Sequence, residues 1–182
     1  MESKLQIISG IFRGRKLRLP PNARPTQNRA RIALFNMLES LGVRPVRVWD
    51  AFAGSGAFGI ECLSRYGDAS AVFSDINPVT VRGNVAALNI GARASVVGVD
   101  AMNVIDRYGT TSDLIFVDPP YADSAIGVDF VRRLGHVTPA GTIVIWEQDA
   151  PNAATPDSDA WDILRDKQYG RARFIIMRRA GE

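Results

Sequence analysis

With 182 residues, 46% of them hydrophobic and 23% charged, the chain reads as one globular domain able to bury roughly 70% of its unfolded surface. No apolar run approaches the roughly 18 residues that a membrane helix needs, and no Cys/His cluster has zinc-ligand spacing, which argues against membrane-spanning and metal-centred classes. The net charge of +3 conceals a split, because residues 1–31 carry eight basic side chains and one acid while the remainder carries 14 basic and 18 acidic ones.

The amino terminus, "MESKLQ", has neither the apolar core nor the cleavage site of a secretory signal, and the single Cys62 cannot form an internal disulfide. Both features suit a reducing cytoplasm. "LQIISG" and "GRKLRLP" read as two short strands around "GIFRG", and "PPNARPT" as a proline-marked loop. Arg13, Arg15, Lys16, Arg18, Arg24, Arg29 and Arg31 make this region basic. Arginine suits phosphate geometry better than lysine does, so residues 1–27 are read as an arm for a nucleic acid; a solvated hairpin is the plainer alternative. Pro25 fixes the chain beside Arg24, and Thr26 is placed to cap the helix that follows. In that helix, "QNRARIALFNMLESLG", Ala30, Leu34, Met37 and Leu41 share one face and Gly42 ends the segment. Residues 28–182 form the main body. Deleting residues 1–20 is expected to weaken nucleic-acid binding and leave the body's ligand site intact.

From residue 46 the pattern changes to strands alternating with helices. "VRVWDAF", "ASAVFSD", "ASVVGVD", "DLIFVD" and "GTIVIWEQ" are the strands, with helices near 57–66, 78–90, 101–108 and 124–135. Asn77 and Pro78 look like the cap and first residue of the second helix. Such alternation implies an α/β fold with a parallel sheet covered on both faces. "WDILRDKQ" and "RARFIIMRR" around "YG" close it as an antiparallel hairpin.

"DAFAGSGAFGIE" holds Gly54, Gly56 and Gly59 as G-x-G-x-x-G between a strand and a helix, with Asp75 ending the next strand about 20 residues on. A dinucleotide reading fails at Asp50, whose charge would face a pyrophosphate. The same acid suits a sulfonium ligand with a free ammonium group, S-adenosylmethionine. In that reading Asp50, Ala53, Gly54, Ser55 and Gly56 hold the amino-acid end, Asp75 with Asn77 the ribose, and Asp100 with Ala101 the adenine. Each acid alone could equally be a helix cap or a turn residue.

"DLIFVDPPYAD" ends a buried strand on a stiff corner, since the prolines fix φ and push the preceding residues into extended conformations. The order "DAFAGSGAFG" then "DPPY" resembles methyltransferases that act on exocyclic amines of bases. The basic start and "RPTQNRARIALFNML" narrow the resemblance to the RsmD family, nearly end to end from "IISGIFRGRKL" to "YGRARFIIMRR". The resemblance implies a Rossmann-like class I methyltransferase with a mostly parallel seven-stranded sheet. It also implies S-adenosylmethionine as cofactor and the N2 amine of a guanine in 16S ribosomal RNA, guanine 966 in rRNA numbering, as target. The partner would be that rRNA or a small-subunit assembly intermediate, and the chain a monomer. Departures fall at Asn28, where the family usually has an acid, at Ile32, where it has Glu, at Asp75 in place of its usual Glu, and in a shorter helix after Asp75.

Asp118 and the Pro119 carbonyl are then the acceptors for the amine protons, Pro120 stiffens the corner, and Tyr121 offers a ring for an unstacked base. The arm residues Arg13, Arg15, Lys16, Arg18, Arg24, Thr26, Arg29 and Arg31 would meet RNA. Three other readings remain: a DNA methyltransferase for adenine N6 or cytosine N4, a nicotinamide oxidoreductase, and a catalytically silent RNA-binding module.

Overall fold

The computed structural model describes residues 5–21, 28–120, 124–157 and 159–181. Arg24, Pro25, Thr26 and Tyr121 lie outside the described residues. The elements run α1 (Asn28–Ser40), β1 (Arg47–Asp50), α2 (Ala57–Arg65), β2 (Ser70–Ser74), α3 (Val79–Leu88) and β3 (Ala94–Val97). A 3₁₀ turn (Ala101–Val104), α4 (Ile105–Gly109), β4 (Leu114–Val117), α5 (Ser124–Val137), β5 (Ile143–Asp149), β6 (Trp161–Tyr169) and β7 (Ala172–Arg179) follow.

All seven strands join one sheet in the order β3-β2-β1-β4-β5-β7-β6. The first five are mutually parallel, and β7 is antiparallel to both β5 and β6. Central β4 reads "LIFV" and is buried at every position, as a strand covered on both faces must be. One face carries Leu34 and Phe35 of α1, Phe58, Ile60 and Leu63 of α2, and Val81 and Val85 of α3. The other carries Ile105 and Tyr108 of α4 and Phe130 and Leu134 of α5. The chain therefore changes direction between β1 and β4, and the crevice outside the carboxyl ends of those strands is where such sheets bind ligands.

Two expectations need local correction. The predicted helix over 101–108 is a 3₁₀ turn followed by a five-residue α-helix. Asn77 does not cap α3, which starts behind Pro78 without a side-chain cap; the Asn77 amide instead donates to Asp75 Oδ1 at 2.8 Å.

The arm is less regular, and far better packed, than a solvated hairpin. Among the described residues its two limbs are paired by an antiparallel bridge, Gln6 with Lys16, and by backbone hydrogen bonds such as Leu17 N to the Leu5 carbonyl at 2.9 Å, and the tip wraps around the end of α2. Ile11 N donates to the Ser64 carbonyl at 2.9 Å, Phe12 N donates to Ser64 Oγ at 3.0 Å, and Ser64 Oγ donates to the Ser9 carbonyl at 2.6 Å. Gly10, at φ 81°, is required there: a Cβ would stand 1.9 Å from the Ser64 carbonyl oxygen. Leu5, Ile7 and Leu17 are 3%, 0% and 2% exposed and belong to the same core as α1 and α2. Burial of each contributes roughly 1.5–3 kcal/mol. Deleting residues 1–20 would therefore open the core, so the clean separation of arm from body expected from the sequence does not hold.

Candidate active site at the carboxyl edge of the sheet

The turn from β1 into α2 is built on backbone conformations that glycine favours. Gly54 and Gly56 have φ of 54° and 75°, in the left-handed region. Gly59 serves packing, since a Cβ there would lie 2.4 Å from Phe73 Cε1. Ser74 and Asp75 hold the turn from below and beside. Ala53 N donates to the Ser74 carbonyl at 3.0 Å, Ser74 Oγ donates to the Ala51 carbonyl at 2.7 Å, and Gly54 N donates to Asp75 Oδ2 at 2.7 Å. Each Asp75 oxygen thus accepts one backbone amide, and a carboxylate with about four lone-pair sites retains capacity for a diol.

Asp50, at the end of β1, is 1% exposed. Its Oδ2 accepts from Gly59 N at 3.0 Å, while its Oδ1 is buried with no hydrogen-bond partner among the described residues. Burial, opposed by the Gly59 hydrogen bond and assisted by the charge of Asp75, pushes the carboxyl up to about 7. A buried carboxyl with one oxygen unused fits a cationic ligand group, because pairing with a cation removes the cost of ionising it. Asp100 is exposed, and one of its oxygens accepts from Met102 N at 2.9 Å. It acts here as the cap of the 3₁₀ turn. Ala101 beside it is buried, Ser55 is half-buried and Asn77 is exposed.

The proline corner follows β4 directly. Asp50 pairs with Phe116 across the sheet, so Asp118, just past the end of β4, stands beside the end of β1. Asp118 is half-buried, Pro119 buried and Pro120 exposed. Burial, then the charges of Glu147 and Asp50, raise the Asp118 carboxyl well above the usual carboxylate range. Below it, Phe58 stacks on Phe116 at 4.2 Å and on Phe35 at 5.3 Å, giving the corner an apolar floor.

Two residues of this corner were not expected from the sequence. Gly127 of α5 lets the helix close on it, since a Cβ there would lie 3.0 Å from both Pro119 Cγ and Trp146 Nε1. Glu147 of β5, 1% exposed, adds charge at Asp118; a lone acid inside the apolar run "IVIWEQ" was the available signal.

Of the basic residues assigned to RNA, Arg13, Arg15, Lys16, Arg18 and Arg29 are exposed. Arg15 Nη2 donates to the Ala87 carbonyl at 3.3 Å, and the Arg18 guanidinium lies against Gly83, so these two drape over α3. Arg31 is a correction. It is 4% exposed, its Nη2 donates to Glu61 Oε2 at 3.1 Å and to the Gln6 carbonyl at 3.2 Å, and Nη1 donates to Asn28 Oδ1 at 3.4 Å. Glu61, fully buried, also accepts from Ile8 N at 2.8 Å, Ser9 N at 2.9 Å and Arg65 Nε at 2.8 Å. Arg31 thus faces inward and ties the arm to α2 rather than presenting charge to a partner.

Comparison with known proteins places the chain in a family. Residues 5–178 match the family model described as conserved hypothetical protein 95. The chain is 32% identical over 185 residues to ribosomal RNA small subunit methyltransferase D of Escherichia coli strain K12, covering 98% of this chain and 92% of that protein. The chain belongs to this family, the RsmD family of methyltransferases. The solved structure of yhhF from Escherichia coli superposes with a TM-score of 0.78 at 32% identity, covering 97% of this chain and 98% of that one. An RNA methyltransferase from Salinibacter ruber, solved with S-adenosyl-L-homocysteine, shares the fold at a TM-score of 0.64 and 16% identity, over 87% of this chain and 95% of that one. The sheet of the family is thus the class I methyltransferase sheet expected from the sequence.

Proposed function

We propose that this chain transfers a methyl group from S-adenosylmethionine to the N2 amine of a guanine in small-subunit ribosomal RNA. The observation that carries this reading is the buried Asp50 carboxyl, with its unused Oδ1, at the end of the strand next to the one that leads into the Asp118 corner, close enough for its charge to act on Asp118. A cation-accepting carboxyl beside a stiff, acid-bearing corner is what a sulfonium donor and a base amine require. Family membership and the name of the Escherichia coli relative support rRNA as the substrate class.

S-adenosylmethionine, when bound, supplies an electrophilic methyl group. Asp50 would hold the ammonium of its amino-acid end, Asp75 its ribose hydroxyls, and Asp100 with Ala101 its adenine edge. The chemistry left to the protein is orientation and charge. The lone pair of guanine N2 is delocalised into the ring, so the amine is a weak nucleophile. Asp118 and the Pro119 carbonyl would accept from its two protons, favour a pyramidal nitrogen, and stabilise the positive charge that develops as the N–C bond forms and the methyl–sulfur bond breaks. S-adenosyl-L-homocysteine would leave as the neutral thioether, and the surplus N2 proton would pass to solvent. Guanine presents N1–H beside its amine, so an ionised Asp118 also has a second donor to meet. The raised Asp118 carboxyl gives up its proton more readily once a cation occupies the neighbouring site.

Purified chain incubated with methyl-labelled S-adenosylmethionine should transfer label to small-subunit rRNA, and calorimetry should show S-adenosyl-L-homocysteine binding and no response to NADH. Binding of NADH alone, without label transfer, would favour an oxidoreductase instead.

A further inference from the structure

We propose that Asn84 is a positioning residue that couples the basic arm to the glycine turn, so that filling the cofactor site and seating RNA on the arm reinforce one another. This coupling rests on the functional reading above.

Asn84 lies in the middle of α3 between Val81 and Val85, and is 2% exposed. A buried amide is costly unless every polar atom finds a partner, and an apolar residue at this helix position would pack with no such demand. The partners of Asn84 come from two segments of opposite function. Its Oδ1 accepts from Arg18 N at 2.8 Å, and its Nδ2 donates to the Arg18 carbonyl at 3.0 Å and to the Ser55 carbonyl at 2.8 Å. Arg18 is one of the exposed basic residues of the arm, and Ser55 sits between the two left-handed glycines of the cofactor turn. One planar amide therefore grips the backbone of both.

Two further contacts tighten the link. Pro20, two residues after Arg18, reaches within van der Waals distance of the Gly54 position. Arg15 and Arg18 lie along the same helix that carries Asn84, at Ala87 and Gly83. A displacement of the Ser55 carbonyl on ligand binding is thus transmitted through a rigid amide to the backbone of Arg18, and the reverse holds when RNA draws on the arm. Linkage requires the effect to be reciprocal, with couplings of about 5-fold to 150-fold typical; one hydrogen-bonded amide places the expectation at the lower end, about fivefold.

The test measures the affinity of purified 16S rRNA for the full-length chain, with and without saturating S-adenosyl-L-homocysteine. Wild type should bind rRNA about fivefold more tightly when the cofactor product is present, and Asn84→Ala should bring that ratio to about one. Asn84→Asp keeps the acceptor for Arg18 N but loses the donor to Ser55, so it should also give a ratio near one. Where either variant melts far below wild type, Arg18→Pro removes the N–H that Asn84 accepts. The Nδ2 hydrogen bonds to the Arg18 and Ser55 carbonyls remain, so its ratio should fall between one and the wild-type value, and a fully retained wild-type ratio overturns the proposal. A wild-type ratio of one overturns the proposal. So does a variant in which both affinities fall while the fivefold ratio survives, since that is what a merely structural residue would do. If wild type binds neither rRNA nor S-adenosyl-L-homocysteine, the functional reading itself fails and the coupling falls with it, an outcome distinct from the other two.

Discussion

Asp50 makes a prediction that the pH meter can test. Its carboxyl is held at about 7 in the free protein, whereas the cationic group of the cofactor pairs only with the ionised form. About one unit below that value roughly a tenth of the sites are ionised, so affinity should be about tenfold lower there than on the plateau, a difference of ~1.4 kcal/mol. Affinity for S-adenosyl-L-homocysteine should therefore rise as pH increases from about 6 to about 7.5. The stability of the unliganded protein should move the opposite way. A carboxyl whose folded value lies above its unfolded value binds more protons in the native state, so stability falls as pH rises from about 4 through about 7 and then levels. Asp50→Asn keeps an acceptor for Gly59 N and removes the charge. It should bind the ligand more weakly by roughly 1.5–3 kcal/mol, the range for a hydrogen bond to a charged group, and lose the rise with pH. Calorimetric titrations of wild type and variant at several pH values decide it. A flat or falling affinity in wild type, or the same rising curve in Asp50→Asn, would refute the assignment of Asp50 to the ligand's cation.

Three substitutions probe other parts of the account. Asp118→Ala should lower the single-turnover methyl-transfer rate by on the order of 10²–10³ while leaving S-adenosyl-L-homocysteine affinity within a few-fold, because the lost interaction strengthens only as charge develops; an unchanged rate would make Asp118 a turn residue. Gly127→Ala should also slow transfer with the ligand still bound, since its Cβ would press on Pro119 and Trp146 at 3.0 Å; unaltered turnover would show that the corner tolerates displacement. Glu61→Ala strands the buried Arg31 and the amides of Ile8 and Ser9, and should cost about 3–5 kcal/mol in urea unfolding, as breaking a buried ion pair does; a loss under 1 kcal/mol would show that the arm is held by its apolar residues alone.

The parts of this molecule that were legible in the sequence are those whose signal is local. "LIFV" is a buried strand because nothing polar interrupts it, Gly54 and Gly56 mark a turn because only glycine adopts their φ without strain, and acids at 50, 75 and 118 stand where their strands stop. What stayed hidden depends on partners far along the chain. Arg31 falls in a run of basic residues, yet it sits three and four residues before Leu34 and Phe35 on the buried face of α1. Its helical phase marks it as interior, but its partner Glu61 is 30 residues away. Asn84 likewise shares a face with Val81 and Leu88, a visible anomaly whose explanation lies 66 residues upstream at Arg18. The arm's charge was read from composition; its anchoring by Leu5, Ile7 and Leu17 could not be, because three apolar residues in a basic stretch carry no sign of what they pack against.

The measurement that tests the central claim most directly is mass spectrometry of nucleosides from unmethylated 16S rRNA, or small-subunit assembly intermediates containing it, after incubation with this chain and S-adenosylmethionine. The account predicts one new modified nucleoside, N2-methylguanosine, formed by wild type and on the order of 10²–10³ more slowly by Asp118→Ala. Recovery of the rRNA nucleosides with no N2-methylguanosine, or with the methyl group on adenine N6 or cytosine N4 instead, would contradict it.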